Sequence, residues 1–306
     1  MDRLSKVGFV GLGNMGQPMA ALLLKAGFDL TVLDADAGVQ QAFVDQYGGI
    51  PASSLNELGS GADAVITMLP DGHAVRRVVL GKEGEGDDRL LGSMGEGAIL
   101  IDMGSSSPTG TQALGQMLAR NGISMLDAPV SGGVPRAKKG TLAIMVGGEP
   151  GVVERCRPLF EEMGERVFET GILGSAHAMK ALNNLVSAAG LIAAAEALLI
   201  GHRFGLDPTV MVDVLNASTG RNNSTENKFK QFILSRAFNS GFSLDLMVKD
   251  LTTAVDLARE TSTPAVFSAA CRELWAAALS KLENDADHTA VVRWFEEIAE
   301  TELVEA

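Results

Sequence analysis

VGFVGLGNMGQPMA, residues 7–20, decides how the chain is read. A short apolar run, Val7–Val10, leads into Gly11, Gly13 and Gly16, and residues 16–26 then carry apolar side chains at helical spacing. In a strand–loop–helix context, G-x-G-x-x-G has a mechanism. The first glycine permits a tight turn, the second lets a pyrophosphate approach the backbone, and the third lets helix and strand pack closely. Free N–H groups at the helix start then face the phosphates. A second apolar run, Leu30–Leu33, ends at Asp34, 18 residues beyond Gly16. A carboxylate there accepts hydrogen bonds from ribose hydroxyls and repels a 2′-phosphate. Ala35, Asp36 and Ala37 offer no arginine to offset that repulsion, so NAD is expected over NADP.

The same alternation continues outward. Ala64–Met68, Ile99–Ile101, Ser124–Leu126 and Leu142–Val146 read as strands, with Arg166–Phe168 as a last edge strand. Continuous apolar runs bounded by glycine suit strands covered on both faces, and alternation with helices implies parallel βαβ units. Of the 35 glycines, 30 fall in residues 1–174 and five in 175–306. Glycine weakens helix interiors, so the second part is expected to be helical. Residues 175–203 can form one long helix, and 209–217, 225–236, 245–260, 264–280 and 287–303 carry helical periodicity. The expected fold class is α/β: a Rossmann-type, doubly wound, mostly parallel sheet over 1–174, joined by the long helix to an all-α domain over 175–306.

Composition removes several functional classes. A hydrophobic content of 46% supports a buried core, and a net charge of −13 without any dense basic run argues against nucleic acid. Cys156 and Cys271 form neither a C-x-x-C pair nor a Cys/His cluster, so neither a disulfide framework nor a metal site is expected. The first apolar run begins too early for a leader peptide ahead of it. The longest apolar run, 185–200, is short for a membrane span, which needs about 20 residues, and reads as a helix buried inside protein. A cytoplasmic protein with no membrane partner is the expectation.

Hydride chemistry needs a group that moves a proton. The four histidines are scattered, and none has a carboxylate at an evident orienting position in sequence. Lys180 is a stronger candidate. In KALNN it is followed by Asn183 and Asn184 at i+3 and i+4, which places the three polar groups on one side of an otherwise apolar helix. Desolvation lowers a lysine pKa and suits it to acid–base work near neutrality.

Six ordered motifs now carry a resemblance. GLGNMGQPMA (11–20), MLP (68–70), DMGSSSP (102–108), DAPVSGG (127–133) with GTL (140–142), KALNN (180–184) and KDL (249–251) are similar to those of the β-hydroxyacid dehydrogenases. The likeness runs from Val7 to about residue 280. It implies that Gly11 to Gly16 hold the pyrophosphate, with Leu12, Asn14 and Met15 beside it. It places Leu69 and Pro70 near the adenosine side and Ser105 near the nicotinamide. Ser131, Gly132 and Gly133 would hold the substrate carboxylate, since successive N–H groups form an anion-binding concavity. Lys180 would be the acid–base residue, with Asn184 positioning the substrate oxygen and Asn183 next to it. Lys249 would reach toward substrate and cofactor from the second domain. Gly104 and Ala74 depart from the pattern, because many members carry serine at the first position and some carry asparagine at the second.

The expected function is an NAD-linked oxidoreductase acting on a small β-hydroxy carboxylate such as 3-hydroxyisobutyrate, without a metal. One alternative is a semialdehyde reductase that runs mainly in the NADH- or NADPH-consuming direction. A decarboxylating oxidation would need a phosphate-binding basic cluster, which is not seen. A non-catalytic dinucleotide-binding module for assembly is the alternative of another class, and the Lys180/Asn184 pair argues against it. Apolar stripes on several helices, and the resemblance, imply a homodimer or homotetramer. The polar segment Ser218–Lys228 is readable either as a substrate-sensing loop, through Arg221, Asn222 and Asn223, or as a plain helix connection.

Overall fold

The apolar runs of the first part pair into a nine-stranded sheet. Its strands are β1 (Lys6–Val10), β2 (Asp29–Leu33), β3 (Ile50–Pro51), β4 (Ala64–Thr67), β5 (Ile99–Asp102), β6 (Ser124–Asp127), β7 (Val130–Ser131), β8 (Leu142–Gly147) and β9 (Gly164–Gly171). The computed structural model describes residues 4–81, 87–283 and 285–304. Strand order is β3-β2-β1-β4-β5-β6-β8-β7, with β9 pairing to β8. Strands β1 to β6 are mutually parallel, while β8 runs antiparallel to β6 and β7 and parallel to β9. The sheet is therefore doubly wound and mostly parallel, as the alternation implies.

Two cores show why the strands are apolar without alternation. Phe9, Ile66, Ile101 and Leu126 join one cluster with Met19, Leu23, Cys156 and Phe160, from helices Gly16–Lys25 and Pro150–Met163. Val10, Val65, Leu100 and Met125 join another with Val75, Val79, Leu114 and Leu118, from helices Gly72–Leu80 and Pro108–Ala119. Successive side chains point to opposite faces, and both faces are covered. Strands β3 and β7 have only two residues each, too few to leave an apolar run in the sequence. β9 is longer than the expected 166–168, because its mostly exposed edge residues carry no hydrophobic signal.

The chain divides into two units, Met1–Lys180 and Ala181–Ala306. The division falls inside one 30-residue helix, Ser175–Phe204, six residues beyond the glycine-count boundary. The second unit is helical. Its core includes Leu191, Ala195, Leu198, Phe229, Trp275, Val291 and Val292. Two of its expected helices differ in detail. The stretch 225–236 is a short helix, Asn223–Asn227, broken at Lys228 and followed by a π-helix, Phe229–Leu234. The stretch 287–303 is a 3₁₀ turn, His288–Ala290, and a helix, Val291–Ala299, that ends at Glu300 in the left-handed region.

The long helix also differs from a helix buried all round. Leu191, Ala195 and Leu198 are buried, whereas Val186 and Ile200 are each 72% exposed and Phe204 is 84% exposed. Alanine and aliphatic residues cover every side of it, so the sequence pattern hides which face packs. By length and composition it is the one helix among the described residues that could cross a membrane.

Candidate active site

The glycine turn fits a dinucleotide phosphate on steric grounds. Gly11 has φ +99°, and a Cβ there would lie 2.4 Å from the Met68 carbonyl oxygen. A Cβ on Gly16 would lie 1.9 Å from the Gly11 carbonyl oxygen. Both glycines are thus required by backbone approach. A Cβ on Gly13, by contrast, would have no atom within 4 Å, so this residue borders open space that a side chain would occupy. Gly13 and Asn14 are exposed and Met15 is half-buried, while the Leu12 side chain lies in the core. The Leu12 N–H donates to Asp34 Oδ2 at 2.6 Å, and the Asp36 N–H donates to Asp34 Oδ1 at 2.9 Å. The end of β2 is therefore fastened to the turn.

Leu69 and Pro70 follow β4, half-buried and exposed respectively, with Leu69 beside Gly11. Ser105 is half-buried in the loop after β5. The two loops approach closely at Gly104, where a Cβ would meet the Leu69 carbonyl oxygen at 2.6 Å. Glycine at this departure from the family pattern is thus a packing requirement.

The second group of residues in this unit surrounds β7. Ser131 ends the strand, and Gly132 (φ +133°) and Gly133 (φ +66°) take backbone conformations that side-chain-bearing residues rarely adopt. Lys180 is half-buried, and its Nζ donates to the carbonyl oxygen of Val130 at 2.9 Å. The fold therefore brings Lys180 to the residue that immediately precedes Ser131–Gly133.

Four buried polar residues beneath this group were not selected from the sequence. Thr67, Asp102 and Asp127 are register partners across β4, β5 and β6, aligned at the strands' C-terminal ends. In open α/β sheets ligands bind just beyond those ends. Asp102 accepts from the Gly104 N–H (3.0 Å) and the Ser106 hydroxyl (2.6 Å). Asp127 accepts from the N–H groups of Gly174 and His177, each at 2.8 Å. The His177 ring is buried, with Nδ1 2.9 Å from Thr111 Oγ1 and Nε2 3.7 Å from Asp102 Oδ2. Burial raises the Asp127 carboxyl above its usual range, against the opposing pull of His177 and the backbone donors. A histidine flanked by carboxylates is thus present, contrary to the reading from sequence separation. The motif aspartates of DMG and DAP were its visible half.

In the second unit, Asn184 is buried and its amide nitrogen donates to Asp250 Oδ2, while the Asn183 amide nitrogen donates to Asn184 Oδ1 at 3.2 Å. Lys249 Nζ lies 3.4 Å from Asp250 Oδ1. Within KDL, Asp250 is buried and holds Asn184. Asn222 has a structural task as well: it caps Asn223–Asn227 through a capping box, and its amide reaches the Gly190 carbonyl oxygen. Another set joins the buried His288 to half-buried Lys228, Asp287 and Ser240, with Lys228 Nζ 2.5 Å from His288 Nε2. Burial lowers Lys228 to about 8 and His288 to about 4. The fold thus gathers the selected residues of the first unit at the glycine turn and around β7, and those of the second unit around Asp250. Among the described residues, no group of three or more His, Cys, Asp or Glu could hold a metal ion.

Comparison with known proteins agrees with this geometry. Residues 6–171 match the family model for the NAD-binding domain of 6-phosphogluconate dehydrogenase. Residues 174–295 match the model described as NAD-binding of NADP-dependent 3-hydroxyisobutyrate dehydrogenase. The chain is 33% identical to the 2-(hydroxymethyl)glutarate dehydrogenase of Eubacterium barkeri, over 97% of each chain. It is 36% identical to the 3-hydroxyisobutyrate dehydrogenase of Pseudomonas aeruginosa, over 93% of this chain and 95% of the relative. The solved 3-hydroxyisobutyrate dehydrogenase of Mycobacterium tuberculosis superposes with a TM-score of 0.86 at 32% identity, covering 95% of this chain and 99% of that one. The ordered motifs, the NAD(P)-binding sheet and these end-to-end likenesses agree: the chain belongs to the β-hydroxyacid dehydrogenase family of oxidoreductases.

Proposed function

We propose that the protein interconverts a small β-hydroxy carboxylate and the matching semialdehyde with NAD(H), using Lys180 as the proton carrier. One observation carries this reading: Lys180 Nζ sits on the Val130 carbonyl, directly before Ser131, Gly132 and Gly133. An amine held there lies beside the turn suited to a carboxylate, so a substrate anchored at that turn presents its neighbouring oxygen to the lysine. In oxidation the neutral Lys180 amine takes the hydroxyl proton, and in reduction protonated Lys180 gives that proton to the carbonyl oxygen. When bound, the nicotinamide supplies the hydride acceptor or donor. Within the second unit, Asp250 fixes Asn184 and lies beside Lys249, and the family resemblance gives both residues a part in holding substrate.

NAD is favoured over NADP by Asp34. Its carboxylate is anchored to the glycine turn, and a fixed negative charge there opposes a 2′-phosphate. The protein is also proposed to act as a homo-oligomer. Val186, Ala193, Ala197, Ile200 and Phe204 form an exposed stripe along one helix, and Val210 and Val214 of the next helix are exposed too. An apolar stripe of this length suits a second copy of the chain.

The test is NADH formation against 3-hydroxyisobutyrate, L-serine, D-glycerate, threonate and 2-(hydroxymethyl)glutarate, for the native enzyme and for Lys180→Ala. Turnover with at least one of these acids is expected, with kcat lost by about 10²–10⁴-fold in the variant and NADH binding retained. Near-native kcat in Lys180→Ala removes the proposed role. Tight NADH binding without turnover of any substrate favours the assembly module.

A further inference from the structure

We propose that His177 is a positioning residue for Lys180, seating the lysine-bearing helix turn against both the cofactor-side and the substrate-side strand ends. The inference rests on the reading of Lys180 as proton carrier. His177 precedes Lys180 by three residues, nearly one turn of the same helix. The first N–H groups of a helix lack partners inside it. Here Asp127 of β6 takes two donors at this helix start, the N–H groups of Gly174 and His177, each at 2.8 Å. Three residues on from Asp127, the Val130 carbonyl receives Lys180 Nζ at 2.9 Å. The stretch 127–130 therefore grips the helix at 174, 177 and 180, and a small rotation of that turn would break all three bonds.

The His177 ring extends the grip in the other direction. Its Nδ1 is 2.9 Å from Thr111 Oγ1, on helix Pro108–Ala119. Its Nε2 has no hydrogen-bond partner among the described residues and lies 3.7 Å from Asp102 Oδ2. The same Asp102 carboxylate orders the loop of Ser105, through the Gly104 N–H and the Ser106 hydroxyl. A buried ring nitrogen without a hydrogen bond is costly, so a histidine is a poor choice if the site needs only volume. What the ring adds over an aliphatic side chain is a directional bond that fixes the height of this helix turn. A displacement near 1 Å at a reacting group costs as much as about 10²-fold in rate.

The experiment compares His177→Leu, His177→Asn, Thr111→Val and Thr111→Ser with Lys180→Ala, using the best acid from the substrate panel. Asparagine places a polar atom where Nδ1 stands, and serine keeps the hydroxyl. His177→Leu and Thr111→Val are expected to lower kcat by about 10–100-fold, while substrate KM and NADH Kd change by less than about threefold. His177→Asn and Thr111→Ser should recover most of kcat. Native kcat in folded His177→Leu or Thr111→Val overturns the proposal, as does a parallel loss of kcat, KM and NADH affinity that the conservative variants fail to rescue. If His177→Leu does not fold, the near-isosteric Thr111→Val decides alone. Lys180→Ala separates the two readings: its full activity removes the proton carrier, whereas its inactivity beside a native-like Thr111→Val removes only the positioning role.

Discussion

Asp34 Oδ2 accepts the Leu12 N–H at 2.6 Å, so the carboxylate at the end of β2 is bonded directly to the turn built from Gly11, Gly13 and Gly16. That bond fixes the charge where a ribose would be read. Asp34→Ser is expected to lower the NAD-to-NADP ratio of kcat/KM by at least about tenfold, which is about 1.4 kcal/mol of discrimination. Steady-state kinetics with both cofactors checks this, and an unchanged ratio would remove Asp34 as the discriminator.

The three turn glycines should separate experimentally into folding and binding roles. A Cβ at Gly16 would lie 1.9 Å from a backbone oxygen, so Gly16→Ala should cost at least about 1–3 kcal/mol in urea denaturation. A Cβ at Gly13 would touch nothing within 4 Å. Gly13→Ala should therefore keep the native Tm while weakening NADH binding, read by its fluorescence. Native NADH affinity in Gly13→Ala would mean that the open space beside this residue is not the phosphate cradle.

What could be read from the sequence was local. Gly11, Gly13 and Gly16 lie within six residues, and Lys180, Asn183 and Asn184 within five, so strand, loop and helix periodicity were enough to group them. Of the buried set beneath Lys180, only the motif aspartates Asp102 and Asp127 left a sequence signal. Thr111 and His177 are 66 residues apart, and Asp127 and His177 are 50 apart. Only the alignment of β5 beside β6 brings their partners together. The helix Ser175–Phe204 was recognisable, but its exposed face was not, because its apolar residues do not alternate with polar ones. Asn222 looked like a substrate reader because it is polar and lies in a loop. Capping uses the same residue type, and the fold uses it as a cap.

Gly104→Ser tests whether the departure from the family pattern is a missing hydroxyl or a steric demand. The Leu69 carbonyl oxygen would stand 2.6 Å from the new Cβ. The variant should lose about 1–3 kcal/mol of stability and gain no turnover. Native stability together with raised kcat would show that the loops after β4 and β5 have room to part.

The exposed stripe predicts an assembly that surface charge would break. Val186 and Ile200 are each 72% exposed, so Val186→Asp and Ile200→Asp should leave the fold intact. Burying an unpaired carboxylate in an interface is costly. Analytical ultracentrifugation should show oligomer for the native chain and monomer for the double variant. A native monomer would leave the stripe without this role.

Lys228 and His288 give the stability a definite pH profile. Burial lowers Lys228 from 10.5 to about 8 and His288 from 6.5 to about 4, so the folded chain resists protonating both. Above pH 10.5 neither group holds a proton in either state. As pH falls from 10.5 toward 8, the unfolded lysine is protonated first, and the unfolded state gains. As pH falls from 6.5 toward 4, the unfolded histidine is protonated first, and stability drops again. Stability is lost wherever the unfolded state binds more protons. Both windows therefore act in the same direction, and the contribution of this pair is greatest at the alkaline end. The Asp287 carboxyl, which burial raises but its bonds to Thr289, the charge of His288 and the Ser240 hydroxyl together lower further, adds to the loss at the acidic end. Urea denaturation across this range should show stability rising between pH 8 and 10.5 in the native chain, relative to Lys228→Met, and a shallower acid decline in His288→Phe. Parallel profiles for the native chain and Lys228→Met would mean that Lys228 keeps its ordinary affinity for a proton in the folded protein.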